Sequence, residues 1–339
     1  MTVHLTGLAV ELPSETVSGA EIADRSGIPE SVVVDKMGVR RKHVATDEQP
    51  SDLCVTAGER ALEDAGIDSA TLDLVSYHGS ELKDHVVWSL AADVADRIGA
   101  TDAYASESYA LCAGAPIAIR EATAQLRTGA IDRALLVAAS REEDLVDYED
   151  PDTSFMFNFG SGASAMVLER DAGDRALATV RESAAITDGT FSRDVIVPAG
   201  GTEQPTSKAT IEQGLHSLGV PDHESMKERL GEVSLPNFLS VADDALAASG
   251  HDRVAVDFAA ITHMKRSFHD HLRDQFELGE TEHLYLDEYG HVQSVDQAIA
   301  TSEARDRGWL DPGDVVLFLA AGTGYTWAAT VLEWQGRVD

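Results

Sequence analysis

RALLVAAS (residues 133–140) followed by FGSGASAMVLER (159–170) has a counterpart late in the chain, DVVLFLAAG (314–322) followed by GTGYTWAATVLEW (322–334). Each couplet is a continuous apolar run, as in a strand buried on both faces, and then a glycine-punctuated strand ending in an acid. The recurrence predicts two copies of one architecture, residues 1–172 and 173–339, with no Ser/Gly/Pro-rich linker between them. Further strands are expected at 2–12, 72–79, 103–109, 176–187, 254–262 and 283–289. Helices are expected at 51–65, 86–98, 113–128, 235–248, 264–277 and 292–306. Strands interleaved with helices of this length predict an α/β fold whose parallel-rich sheets are covered on both faces. Residues 187–236, rich in Gly, Pro, Thr and charge, read as a long surface excursion or lid.

Composition narrows the class. At 43% hydrophobic and 25% charged, the 339 residues can bury a sizeable core, and disorder is excluded. No apolar run reaches the ~18 residues of a membrane helix. The opening MTVHLTGLAVELPSE has neither a basic n-region nor a small-residue cleavage site, so a cytoplasmic location is expected. Lys+Arg 26 against Asp+Glu 59 gives a net charge of −33, and the acids are spread through every segment. Such a coat repels itself at low ionic strength and is tolerated at molar salt, where the screening length falls to about 3 Å. It points to a salt-loving source, a halophilic archaeon being the expectation. It also disfavours nucleic acid and anionic membranes as partners, since both require a basic footprint.

The two cysteines, Cys54 and Cys112, are far apart and lack metal-ligand spacing, so neither a disulfide nor a metal site is expected. Cys54 sits in an amphipathic helical pattern and reads as a small core residue. Cys112, in YASESYALCAGAPIAI, stands between a strand and a helix, as do His263 after VAVDFAAIT and His291 in DEYGHVQSVDQAIA. In α/β folds ligands bind beyond the carboxyl ends of the strands, where helix N-termini converge. A thiol at such a terminus is favoured as the thiolate nucleophile, and imidazoles beside it can donate hydrogen bonds or move protons. Taken singly, a cysteine there is commonly a core residue and a histidine commonly a cap; the three together designate a site. The AAGTGYTW glycines, between two strands with no helix following, suit an oxyanion-holding loop rather than a dinucleotide fingerprint.

MGVRRKHVA (37–45), ALCAGAPIAI (110–119), FGSGASAMVL (159–168), ITHMKRS (261–267), DEYGHVQSVDQAIA (287–300) and AAGTGYTWAA (320–329) together resemble, in order and spacing, the β-ketoacyl-(acyl carrier protein) synthase III group of the thiolase superfamily. The resemblance implies a five-layered αβαβα fold of two pseudo-duplicated halves, usually a homodimer. It implies an acyltransferase in which Cys112 takes an acyl group from an acyl-CoA or acyl carrier protein. A malonyl thioester then loses CO2 and condenses with it, with His263 and His291 on the extender carbonyl and no metal or redox cofactor. The backbone N–H groups of Cys112 and Thr323 would hold the acyl oxyanion, and the implied substrate contacts are Lys36, Arg40, Trp88, Arg266, Gly322 and Gly324. Trp88 falls where the family places an aromatic that shapes the acyl pocket.

The chain also departs from the family's pattern. His291 stands where the family has Asn, Thr323 breaks its glycine triplet, and Met264-Lys265-Arg266 replaces its polar neighbours after the histidine. Lys36 and Val32 replace an arginine and a tryptophan at the CoA end. Docking of an acidic carrier would rest on Lys265, Arg266 and Arg273. Alternatives are a thiolase-fold acyltransferase that passes the Cys-bound acyl group to an alcohol or amine, and a hydroxymethylglutaryl-CoA synthase-like enzyme using Glu81 as acid/base. A thiolase lacks its second cysteine here, and retention of Cys112 counts against a non-catalytic partner subunit.

Overall fold

The computed structural model describes residues 1–336. The strands, in chain order, are β1 (Val3–Glu11), β2 (Thr16–Ser18), β3 (Arg41–His43), β4 (Leu74–Tyr77), β5 (Tyr104–Glu107), β6 (Arg133–Ser140), β7 (Gly162–Arg170), β8 (Ala178–Thr187), β9 (Phe258–Ile261), β10 (Val315–Gly322) and β11 (Thr326–Trp334). The helices are α1 (Gly19–Ser26), α2 (Glu30–Val32), α3 (Pro50–Ala65), α4 (Leu90–Arg97), α5 (Gly114–Thr128), α6 (Lys208–Glu212), α7 (His223–Ser249), α8 (Arg266–Gln275) and α9 (Asp296–Asp306). β2 and β3 pair antiparallel as a separate two-stranded ribbon, and the other nine strands form one sheet in the order β5-β4-β6-β7-β1-β8-β11-β10-β9.

The strand order is symmetric about the middle of the sheet, apart from the additional edge strand β5. In the first half, β4 pairs parallel with β5 and β6, and β6, β7 and β1 run antiparallel. In the second, β9 pairs parallel with β10, and β10, β11 and β8 run antiparallel. The junction is short, Val3–Leu5 of β1 against Ala178–Val180 of β8. The couplets that announced the repeat are β6–β7 and β10–β11.

Three apolar cores give the layers. One lies between α3 and α4 and one face of the first half; another lies between α7 and α8 and one face of the second. The third, between the two halves, is built from Ala115, Ile119, Ala122 and Leu126 of α5 and Ala298, Ile299 and Ala304 of α9. A helix packed between two sets of strands needs small residues where it meets them, and both helices supply alanine there. The result is α, β, α, β, α, the expected five layers, with the N-termini of α5 and α9 meeting at the centre. None of the described helices is long and apolar enough to cross a membrane.

Two expectations need correction. Residues 283–289 do not form a strand: only His283 bridges, in parallel, to Ala259 of β9, and the chain then turns. The excursion of 187–236 is shorter than expected, because α7 begins at His223 and carries Pro236 in its interior.

Candidate active site

Cys112 sits in a one-turn 3₁₀ segment, Leu111–Ala113, between the edge strand β5 and the buried helix α5. Leu111 takes φ 50°, a left-handed conformation that costs a side-chain-bearing residue about 1–2 kcal/mol. Two glycines let neighbouring backbone approach the thiol. A Cβ on Gly322, at the end of β10, would lie 2.2 Å from Ala110 O and 3.1 Å from Cys112 N. A Cβ on Gly114 would lie 2.3 Å from His78 O. Thr323 follows Gly322 directly, so the two expected oxyanion donors belong to adjoining stretches of backbone.

His291 enters from the second half. Its Nε2 is 3.0 Å from Cys112 Sγ, and its Nδ1 is 2.6 Å from Oδ2 of Asp296, the first residue of α9. The same Oδ2 accepts the backbone N–H of His263 at 2.7 Å, and Oδ1 accepts that of Val292 at 2.7 Å. One fully buried carboxylate therefore fixes both the strand end carrying His263 and the loop carrying His291. The edge of the Phe159 ring closes the far side of the His291 imidazole at 5.2 Å. Burial opposes charge on His291, yet Asp296 and the Cys112 sulfur outweigh it and raise its pKa well above the ordinary histidine value.

His263 is in the opposite electrostatic state. Burial first, then His291, His269 and Arg266, drives its pKa far down, so it is neutral. Neither of its ring nitrogens has a partner among the described residues. The ring packs on Tyr285 at 4.8 Å, Tyr285 carries Arg266 on its face at 4.1 Å, and the Tyr285 hydroxyl donates to Met264 O at 2.8 Å. An unpartnered buried imidazole costs desolvation energy unless a ligand supplies the missing bond.

Beyond His263 a cavity of about 570 Å³ opens, lined among others by Val32, Lys36, Phe155, Lys265 and Arg266. Arg40 joins its rim through Asp287, which accepts from Arg40 at 3.1 Å and Arg266 at 2.8 Å. A smaller cavity, about 270 Å³, adjoins Leu111 on the other side and includes Glu81, Tyr109, Thr323 and Gly324. Trp88 is half-buried against the outer core of the first half, edge-on to His85 at 5.5 Å. Cys54 is wholly buried in that core and its thiol is pushed up by burial, as expected of a core residue. Arg273 pairs with Asp274 on the surface.

Two acids at this site were not anticipated from sequence. Asp296 lay hidden inside an expected helix, although an acid five residues after a candidate histidine is itself a signal. Glu142 accepts from Ser80 Oγ at 2.9 Å and Gln293 Nε2 at 2.7 Å, and burial raises its pKa. Nothing in its local sequence marks it. Among the described residues no three His, Cys, Asp or Glu side chains gather as a metal site.

Residues 107–189 match the family described as 3-oxoacyl-[acyl-carrier-protein (ACP)] synthase III, and residues 246–334 match its C-terminal part. The chain is 28% identical over 336 residues to a β-ketoacyl-[acyl-carrier-protein] synthase III of Bradyrhizobium diazoefficiens, covering 97% of each. It is 29% identical over 332 residues to β-ketoacyl-[acyl-carrier-protein] synthase III 5 of Streptomyces coelicolor, covering 97% of this chain and 96% of that one. The crystal structure of 3-oxoacyl-(acyl carrier protein) synthase III from Pseudomonas aeruginosa superposes with a TM-score of 0.83 at 22% identity, covering 100% of both chains.

Proposed function

We propose, for a chain that belongs to the 3-oxoacyl-[acyl-carrier-protein] synthase III family of condensing enzymes, that Cys112 is the acyl carrier of a decarboxylative condensation. The observation that carries this reading is the 3.0 Å contact between Cys112 Sγ and His291 Nε2, beside a buried His263 whose ring nitrogens await a partner. The sulfur attacks the carbonyl of an acyl thioester, the backbone N–H groups of Cys112 and Thr323 receive the oxyanion, and the thiol of the carrier leaves. A malonyl thioester then takes its place. Loss of CO2 sends a pair of electrons toward the thioester carbonyl oxygen, where neutral His263 and protonated His291 can each donate a hydrogen bond. The enolate carbon attacks the acyl group, the C–S bond to Cys112 breaks, and a β-ketoacyl thioester results. No metal or redox cofactor enters this scheme.

The thioester arm of acyl-CoA or acyl carrier protein is assigned to the cavity of about 570 Å³, where Lys36, Lys265 and Arg266 stand with Asp35 and Asp270 and give a less acidic lining than the chain as a whole. Arg40 sits at its rim. We assign Trp88 to the acyl-pocket side of the molecule and Gly322 and Gly324 to the oxyanion loop. A homodimer is expected along the open edge of β5, near which Val86 and Val87 stand 92% and 102% exposed. The acid coat is that of an enzyme working in concentrated salt.

Intact-mass measurement in molar KCl tests the reading. Incubation with a panel of acyl-CoA esters is expected to add one acyl mass on Cys112. Malonyl-CoA is then expected to discharge it with release of CO2 and a β-ketoacyl thioester. An adduct that malonyl-CoA leaves in place would overturn the condensation.

A further inference from the structure

The resemblance to the synthase family leads one to expect an amide at position 291, and an amide can donate a hydrogen bond but cannot take a proton at neutral pH. This chain instead places an imidazole there and a fully buried carboxylate behind it. The Asp296 contact settles the tautomer. Nδ1 carries its proton toward Oδ2 at 2.6 Å, so in the neutral ring Nε2 is a bare lone pair aimed at Cys112 Sγ, 3.0 Å away. Carboxylate, imidazole and nucleophile lie in line, with Asp296 anchored by two backbone N–H groups and by the N-terminus of α9. The other ionisable groups around the ring are His263, which is neutral, and Glu142, bound to Ser80 and Gln293.

We propose that Asp296 is a positioning residue that makes His291 a general base, and that the acyl group on Cys112 can therefore be passed to a hydroxyl oxygen, of water or an alcohol, as well as to carbon. The inference rests on acylation of Cys112, the reading given above. In the step, Nε2 takes the proton of the hydroxyl as its oxygen bonds to the acyl carbon. The Cys112 C–S bond then breaks, and the sulfur recovers that proton from Nε2. The products are free thiol and a carboxylic acid or ester, and no co-reactant beyond the hydroxyl is needed. Protonated His291 serves condensation and neutral His291 serves oxygen transfer, so the proton on Nε2 partitions one acyl-enzyme between two fates.

The test follows the lifetime of the adduct. The full chain is loaded from octanoyl-CoA in molar KCl, freed of excess ester, and followed by intact mass in buffer, in buffer with glycerol, and with malonyl-CoA. Wild type is expected to lose its adduct without malonyl-CoA, releasing octanoic acid, and in glycerol the glyceryl ester as well. His291→Asn is expected to lengthen that lifetime by about 10²-fold or more while slowing condensation far less. Asp296→Asn is expected to lengthen it about tenfold and to move the acid limb of the hydrolysis profile to lower pH, because the ring loses the charge that held its proton. A purely structural role for Asp296 would slow loading, hydrolysis and condensation together with no shift of the profile. An adduct that forms normally and decays equally in wild type and His291→Asn overturns the inference and leaves the condensing enzyme standing. Absence of any adduct overturns both.

Discussion

The two halves of the molecule use one backbone device twice and load it differently. In the first, left-handed Leu111 (φ 50°) opens the turn Leu111–Ala113 and buried α5 starts at Gly114; in the second, left-handed Gln293 (φ 53°) opens Gln293–Val295 and buried α9 starts at Asp296. In this register Cys112 corresponds to Ser294, and Gly114 to Asp296. The parallel strands show the same economy. His78 and Thr262 make equivalent first bonds past their strands, to Val137 and Leu319, so the counterpart of His263 is Gly79. A Cβ on Gly79 would lie 2.5 Å from both Ala139 N and O, leaving no room for a side chain. One half supplies Cys112 and keeps its helix start bare; the other supplies both imidazoles and the carboxylate that aligns them. The backbone frame is repeated, and its two fillings differ.

Moving the thiol separates the two helix starts most strongly. Cys112→Ala is expected to abolish the adduct and reduce turnover by about 10⁴-fold or more. Adding Ser294→Cys is expected to restore nothing, because Ser294 is 1% exposed and spends its hydroxyl on His78 O at 2.9 Å. An acyl mass on position 294 would mean that the helix start alone makes a nucleophile. Next comes His263→Ala, which removes the donor proposed for the developing enolate. Condensation is expected to fall about 10²–10³-fold while loading of Cys112 changes by less than about tenfold. Equal losses in both half-reactions would place His263 in acylation instead.

The frame was legible and its fillings only partly so. Couplets of buried and glycine-punctuated strands are long, strongly patterned signals, and β6, β7, β10 and β11 fall where they were expected. The stretch 283–289 misled because its alternation is that of a strand, while its role is to turn Gly290 and His291 back toward the centre. Cys112, His263 and His291 were visible from their places at strand ends. Their shared carboxylate was not, since Asp296 lies 33 residues from the His263 amide it binds. Glu142 reaches Gln293 across 151 residues. Long-range polar closure of this kind leaves no local pattern.

The equivalent pair His78 and Thr262 differ in a way that pH can expose. Burial lowers His78 from 6.5 to about 4, and neither of its ring nitrogens has a partner among the described residues. Between those values the unfolded chain binds the proton that the folded chain refuses, so stability is complete above pH 6.5 and declines as pH falls toward 4. The loss amounts to about 3 kcal/mol. Burial lowers His269 to about 3, which adds to the slope in the same direction. Unfolding by urea in molar KCl across pH 4–7 should show a shallower slope for His78→Met than for wild type. An unchanged slope would mean that water reaches the His78 ring.

The smallest effect tests the shared turn itself. A side chain at φ near 50° forfeits about 1–2 kcal/mol, and a β-branched one forfeits more, because its second γ atom crowds the backbone. Leu111→Val is therefore expected to cost about 1–2 kcal/mol beyond the lost methylene, whereas Leu111→Gly releases the strain and gives back a similar amount in unfolded-chain entropy. Gln293→Val should lose the same turn energy together with the bond to Glu142, worth about 1 kcal/mol. Thus Gln293→Val is expected to exceed Leu111→Val. If both valine variants matched their glycine partners in urea midpoint, the left-handed turns would be free to relax. The placement of Cys112 opposite His291 would then depend on the glycine-lined contacts of Gly114 and Gly322, with no help from the turns.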